Sequence, residues 1–244
     1  VTKKVIAIVQ ARLGSKRFPG KSLASFHGSP MIYSVLDRAC STKGIAHVVA
    51  AVPTRDTALI DSIERYGRVS GNSVSIVYGP ERNVLLRFFL AATTYKADVI
   101  MRITGDCPLW VPRAGEEVLA AYLSDPDKRE FWSNDTRNSG WPDGTDVEVF
   151  SMSLLRRACR ARKLTDADLE HVTTWMRRTL DRKVGVVHRS KDLLSHLKFS
   201  VDTRKDLLDI STSEAKRLIQ IIEDGGTARA KGKKEDLQEL TERS

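Results

Sequence analysis

The feature that most constrains this chain is the run Val5-Ile6-Ala7-Ile8-Val9 together with the loop after it, Gln10-Ala11-Arg12-Leu13-Gly14-Ser15-Lys16-Arg17-Phe18-Pro19-Gly20-Lys21. A short β-branched run without polar alternation reads as a strand buried on both faces of a parallel sheet. It passes into a loop with two glycines, a proline and five side chains suited to a phosphate: Arg12, Ser15, Lys16, Arg17 and Lys21. Glycine lets backbone N–H groups approach an anion, and the cations neutralise it. A basic surface turn that binds nothing is the competing reading of the loop alone.

Two familiar phosphate loops do not fit. The Walker loop is Gly-x-x-x-x-Gly-Lys-Ser/Thr. Here five residues, Ser15 to Pro19, separate Gly14 from Gly20-Lys21-Ser22. Pro19 also lacks the N–H that such a loop would use. The dinucleotide fingerprint Gly-x-Gly-x-x-Gly is absent.

Strand and helix patterns alternate through the first half. The apolar runs predict strands Val5–Gln10, His47–Val52, Val74–Tyr78 and Val99–Thr104. Between and after them the spacing predicts helices Met31–Cys40, Thr57–Tyr66, Val84–Tyr95 and Gly115–Leu123. This alternation implies a mostly parallel sheet with helices on both faces. Ligands in such sheets sit at the carboxyl ends of strands, where the Arg12–Lys21 and Gly105–Leu109 loops fall. The second half predicts strands at Phe131–Asn134, Val147–Phe150, Val184–His188 and Phe199–Val201. Its helices are expected at Leu154–Arg162, from Asp166 with Thr165 as cap, and from a Thr212 or Ser213 cap to Ile222. One domain over 1–225 is expected, with 131–190 as an inserted substrate and dimer lobe and 226–244 as a charged tail.

Hydrophobic content of 41% and charged content of 29% suit a globular enzyme rather than a disordered chain. No apolar run approaches the ~20 residues of a membrane span. The first run is too short for a signal-peptide core, so a cytoplasmic protein is expected. Cys40, Cys107 and Cys159 are odd in number and widely spaced, which argues against a disulfide framework or a zinc site. The net charge of +9 invites a nucleic-acid reading. No base-stacking motif, helix-turn-helix spacing or zinc finger accompanies it. Solvated surface ranks first for these charges, steering of a polyanionic substrate second and nucleic acid third.

The segment Gln10 to Lys21 resembles the signature of the nucleotide-sugar cytidylyltransferases. The likeness points to the spore coat polysaccharide biosynthesis protein F group of the acylneuraminate and ketodeoxyoctonate cytidylyltransferase superfamily. Four further segments agree in order and spacing: Arg102-Ile103-Thr104-Gly105-Asp106-Cys107-Pro108-Leu109, Pro142 to Phe150, Glu170-His171-Val172-Thr173, and Ser200 to Leu207. The resemblance implies a Rossmann-like α/β fold of the nucleotide-diphospho-sugar transferase (glycosyltransferase-A-like) type. It implies transfer of CMP from CTP to a sugar or sugar acid, with release of pyrophosphate and help from Mg²⁺. A homodimer is expected, as is a role in surface polysaccharide or glycan assembly. Another nucleotide donor or a phosphonate acceptor is the alternative within the fold.

By the same resemblance, Arg12 and Lys21 are the catalytic cations. The nucleotide would also meet Ala11, Gly14, Ser15, Lys16, Arg17, Arg87 and Arg102. Asp106 and Asp202 would hold Mg²⁺. As isolated residues, Asp106 reads equally as a turn or cap aspartate and Asp202 as a helix cap. The acceptor would meet Asn134, Asp143, Asp146, Glu148 and Glu170-His171, with His171 a candidate base. Alternatively Asp146, Glu148 and His171 form a buried polar network. Trp132 and Trp141 serve packing, or stack on a sugar. One departure from the group stands at Asn83 and Leu86, where acidic residues are typical.

Overall fold

Every side chain from Val5 to Val9 is buried, because both faces of the first strand are covered. The computed structural model describes residues 3–134, 137, 139–189 and 193–225. In chain order its elements are β1 (Val5–Gln10), β2 (Ser25–Phe26), β3 (Ser29–Pro30), α1 (Met31–Ser41), β4 (His47–Pro53), α2 (Thr57–Ser70), β5 (Val74–Gly79), α3 (Val84–Thr94) and β6 (Val99–Thr104). Next come α4 (Pro112–Ser124), β7 (Phe131–Ser133), β8 (Glu148–Ser151), α5 (Met152–Arg160), α6 (Asp166–His171), α7 (Thr174–Leu180), β9 (Gly185–Val186), α8 (Arg204–Ile210) and α9 (Ser213–Glu223).

One sheet of seven strands runs β5-β4-β1-β6-β8-β7-β9. β1 pairs in parallel with β4 on one side and β6 on the other. Strand alternation then divides its side chains between two cores. Val5, Ala7 and Val9 meet α1, α2, α4 and the two C-terminal helices, while Ile6 and Ile8 meet α3, α5 and Met176 of α7. The predicted parallel sheet and the four early strands are therefore present, β1 and β6 with the expected bounds and β4 and β5 each one residue longer.

The second half differs more. The segment expected as an inserted lobe continues the same sheet: β8 pairs antiparallel with β6, in the register Arg102↔Glu148, and β7 and β9 lie beyond it. The physical reason is the open edge of β6, whose backbone groups need partners. The strand expected at Phe199–Val201 is reduced to one bridge, Asp143 with Lys198. Gly144 lies beside it with φ +90°, and a Cβ there would stand 2.5 Å from the backbone of Phe199 and Ser200. The helix expected from Asp166 breaks after His171. The β2–β3 hairpin was not predicted; its turn places both His27 and Gly28 at positive φ, as a tight two-residue turn requires. Asn83 caps α3 by accepting from the Leu86 N–H at 2.8 Å, so the departure there keeps the local support that an aspartate would give. The expected 226–244 tail lies outside the described residues.

Candidate active site

The order of strands changes direction between β1 and β6, and the loops after those two strands meet at their carboxyl ends, where sheets of this kind form a ligand crevice. The ladder runs on past the strands: Gly105 N donates to Gln10 O at 2.8 Å. A Cβ at Gly105 would lie 2.6 Å from that oxygen, so glycine permits the approach. Val201 N donates to Asp106 O at 2.8 Å and brings the third segment in.

Lys21 ties these segments together. Its ammonium donates to Asp106 Oδ2 at 2.7 Å and to Val201 O at 2.6 Å. Arg17 reaches Asp202 Oδ1 at 2.6 Å, and Lys198 stands 3.3 Å from its other oxygen. Arg12 reaches Glu170 Oε1 at 2.5 Å. Lys16 is exposed and makes no ion pair among the described residues. The loop itself is anchored from inside. Phe18 is buried under the Arg204 guanidinium, Ser22 Oγ donates to Arg12 O, and Leu13 N donates to Asp56 Oδ2 at 2.6 Å. Ser15 N and Gly20 N both donate to Leu13 O. Ala11 is buried and Gly14 is exposed beside the Glu81 carboxyl group. Asp56 was not anticipated, because nothing local in the sequence marks a partner so far along the chain.

Burial pushes the Asp106 carboxyl toward protonation, and the Lys21 ammonium overrides it, so its pKa lies below the ordinary value. Asp106 remains ionised with a third of its side chain exposed. It caps no helix: Val111 stands at the start of α4. Nor does Asp202 cap α8, since Thr203 and Asp206 form the reciprocal cap there. Both carboxylates thus face the crevice with cations rather than helix ends as partners. Among the described residues no group of three or more His, Cys, Asp or Glu side chains converges. A pair of carboxylates suits Mg²⁺, which takes one or two of them and completes its shell with phosphate oxygens and water. Asp106 and Asp202, on two segments joined by the Val201 N–H to Asp106 O bond, are donors of the kind and number that ion takes.

Several residues expected to touch ligands are engaged elsewhere. Glu148 is buried and held by Arg102 Nη1 at 2.6 Å, Thr173 Oγ1 at 2.9 Å and Arg177 Nε at 2.9 Å. Burial opposes its charge, yet Arg102 and Arg177 pull its pKa below the ordinary value. Arg102 also donates through Nε to the Gln10 side chain at 3.0 Å. Glu148 therefore sits in a buried polar network, formed with Arg102, Thr173 and Arg177 rather than with the expected Asp146 and His171. Asn134 is buried, with its amide bridging Thr145 O and Val147 N, so it shapes the acceptor segment from behind. Arg87 is buried and braces the carbonyls of Pro80 and Glu81. Burial, with Arg12 close by, lowers its pKa to about 10. Glu148, Arg102 and Asn134 share one cause: a charged or amide group inside a core must be satisfied there. Arg87 is held through Nη1 alone, and its buried Nε has no partner among the described residues.

Asp143 is exposed and accepts from Ser200 Oγ at 2.9 Å, and Asp146 accepts from Gly144 N at 3.0 Å. His171 is exposed at the end of α6, next to Glu170. Trp141 is buried, and Trp132 packs half-buried under Arg129.

A family model described as cytidylyltransferase matches residues 6–226. The chain belongs to the cytidylyltransferase family. It is 31% identical over 175 residues to an uncharacterized protein of Methanocaldococcus jannaschii, covering 71% of this chain and 67% of that one. It is 36% identical over 130 residues to the 3-deoxy-manno-octulosonate cytidylyltransferase of Desulfosudis oleivorans, covering 51% of this chain and 49% of the relative. The match thus spans about half the length of that enzyme. A solved cytidylyltransferase from Leptospira borgpetersenii superposes with a TM-score of 0.78 at 25% identity, covering 91% of this chain and 95% of that one. A CMP:2-keto-3-deoxy-manno-octonic acid synthetase solved with CTP shares the fold, with a TM-score of 0.65 at 17% identity over 88% of this chain and 99% of that one. No helix among the described residues of this family member is long and apolar enough to cross a membrane.

Proposed function

We propose that this protein transfers CMP from CTP to a sugar acid or related sugar, releasing pyrophosphate, and that it belongs with the spore coat polysaccharide F group. The observation that carries the reading is Lys21, held between Asp106 and the Val201 carbonyl at the ends of β1 and β6. An ammonium so placed, with Arg12 and Arg17 on the same loop, meets the charge of a triphosphate. The acceptor oxygen forms a bond to the α-phosphorus while the bond from that phosphorus to the bridging oxygen breaks. Both electrons of the broken bond leave with pyrophosphate, and an acceptor hydroxyl gives up its proton. His171, exposed next to Glu170, the partner of Arg12, is the candidate to receive it. Asp106 and Asp202 would hold Mg²⁺, which supplies charge neutralisation at the phosphates. Arg102, Glu148 and Asn134 keep the acceptor segment in shape without touching the substrate. The proposed enzyme works as a homodimer on a surface-glycan route, and sedimentation as a monomer at micromolar concentration would count against the dimer.

Thermal shift with CTP, UTP, ATP, GTP and dTTP, each with and without Mg²⁺, tests the donor, since a ligand of the native state raises the melting temperature. Selective stabilisation by CTP with Mg²⁺ is expected. Selective stabilisation by another nucleotide would overturn the cytidylyl assignment.

A further inference from the structure

A cavity of about 290 Å³ lies between the β2–β3 hairpin and the helices α1 and α2. Phe26, His27, Tyr33, Asp37, Tyr66 and Val69 carry its chemistry. Its size is near the lower end for pockets that take small molecules. None of its lining residues belongs to the loops that meet at the carboxyl ends of β1 and β6.

The walls are largely aromatic. The rings of Tyr33 and Tyr66 are 5.1 Å apart, and those of Phe26 and His27 are 4.2 Å apart. Both tyrosine hydroxyls are committed within the protein. Tyr33 Oη donates to Ser62 O at 2.8 Å, and Tyr66 Oη donates to Asp37 Oδ1 at 2.6 Å. Burial, then the bond to Asp37, pushes the Tyr66 pKa far above its usual value, so the hydroxyl stays a donor. Burial, then the exposed Lys216, lowers the His27 pKa, so that ring is mainly neutral at pH 7. Val69 adds an apolar side chain that is 80% exposed.

One charge stands on this wall. Asp37 is exposed, and its Oδ1 also accepts from Asn72 Nδ2 at 3.2 Å. Its Oδ2 has no hydrogen bond or ion pair among the described residues. The next residue, Arg38, pairs with Glu223 and donates to Trp110 O. No lysine or arginine among the described residues lines the cavity. Two neutral donors thus fix the Asp37 carboxylate in place and leave its charge uncompensated, in a chain whose net charge is +9.

We propose that this cavity is a binding site for a small organic ammonium ion with an aromatic or aliphatic body. The ammonium donates to Asp37 Oδ2, and the body lies against Phe26, Tyr33, Tyr66 and Val69. The carboxylate supplies the opposite charge, aromatic rings favour a cation near them, and apolar contact holds the rest. The walls are also joined to both loops of the crevice. The hairpin follows closely on the Lys21–Leu23 turn, and Ser34 Oγ donates to Pro108 O at 2.6 Å, two residues past Asp106. A ligand here rests on the supports of Lys21 and Asp106 without entering the crevice.

Nitrogen-edited NMR titration of the whole chain tests this, with 2-phenylethylammonium and its neutral counterpart 2-phenylethanol as probes. The cation should shift the amides of residues 26–33 and 66–70 and bind about tenfold more tightly than the alcohol. Asp37→Asn should remove that preference. Ser29→Lys changes an exposed residue of the same wall whose side chain makes no hydrogen bond among the described residues, so the fold is retained. Its ammonium competes for Asp37 and should weaken binding of the cation by about tenfold. Equal affinity for the two probes, a preference retained in both variants, or no shift at millimolar cation overturns the proposal. Displacement of the cation by saturating CTP with MgCl₂, or shifts confined to the crevice loops, would place the probe in the crevice and overturn it as well.

Discussion

Lys21 and Asp106 are 85 residues apart in the chain and 2.7 Å apart in the structure. Asp106 lies just after β6 and Lys21 at the far end of the loop that follows β1, so the contact needs both the parallel pairing of those strands and the internal bonds that fold the loop back. Replacing Lys21 with Met keeps most of the stem and removes the charge. Turnover with CTP should fall by about two to three orders of magnitude, the range for loss of one preorganised charge donor. Pyrophosphate release measures it. Release at the parent rate would remove Lys21 from the machinery.

Arg102 and Glu148 give a stability prediction. Arg102→Leu strands a buried carboxylate with fewer partners and should cost about 3–5 kcal/mol in urea unfolding. Arg102→Leu combined with Glu148→Leu should recover part of that loss, because the stranded charge goes too. A double variant less stable than the single one would contradict the buried Arg102–Glu148–Arg177 network.

Acid sensitivity comes from the same carboxylate. Glu148 and Asp106 both have folded-state pKa values below their ordinary 4.5 and 3.8. Each contributes stability that is present above its unfolded value. That contribution is lost as pH falls, because the unfolded chain takes up the protons first. Melting temperature should therefore decline steeply between about pH 5 and pH 3. Glu148→Gln should start lower and decline less steeply over that window.

Gly144 tests the joint between the acceptor segment and the Lys198–Asp202 stretch. With φ +90° and the Phe199–Ser200 backbone 2.5 Å from any Cβ, Gly144→Ala is strained in conformation and blocked in space. A loss of at least about 2 kcal/mol is expected in denaturant unfolding. A loss under half that would mean the bridge between Asp143 and Lys198 gives way easily.

Asp202 is the metal test. Asp202→Asn keeps the size and removes the charge. The Mg²⁺ concentration for half-maximal pyrophosphate release should rise by about tenfold or more, as for weakened metal sites generally. An unshifted Mg²⁺ titration would leave Asp202 as a partner of Arg17 and Lys198 only.

Much of the frame was legible in the residues. Buried parallel strands must be apolar on both faces, so β1, β4 and most of β6 stand out as continuous runs, while β5, half-buried at the sheet edge, carries the weaker run Val74-Ser75-Ile76-Val77-Tyr78. The loops at their carboxyl ends could then be placed as one site. The later strands were harder. β7 and β9 are three and two residues long, and their place depends on the open edge of β6 rather than on a pattern of their own. The break between α6 and α7 carries no glycine or proline. It exists because the core holds Val172, and packing energy of that kind leaves no local mark.

The sequence by itself determined the sheet class, the loop after β1 and the residue types suited to phosphate, since strand burial and loop chemistry act over a few neighbours. Only the tertiary structure decided which of those residues face the crevice. Arg87, Arg102, Asn134 and Glu148 were drawn into buried networks, and Arg12 was given to Glu170, 158 residues away. A charge takes the partner that folding brings within hydrogen-bond distance, and that distance is set by the pairing of strands and not by order along the chain.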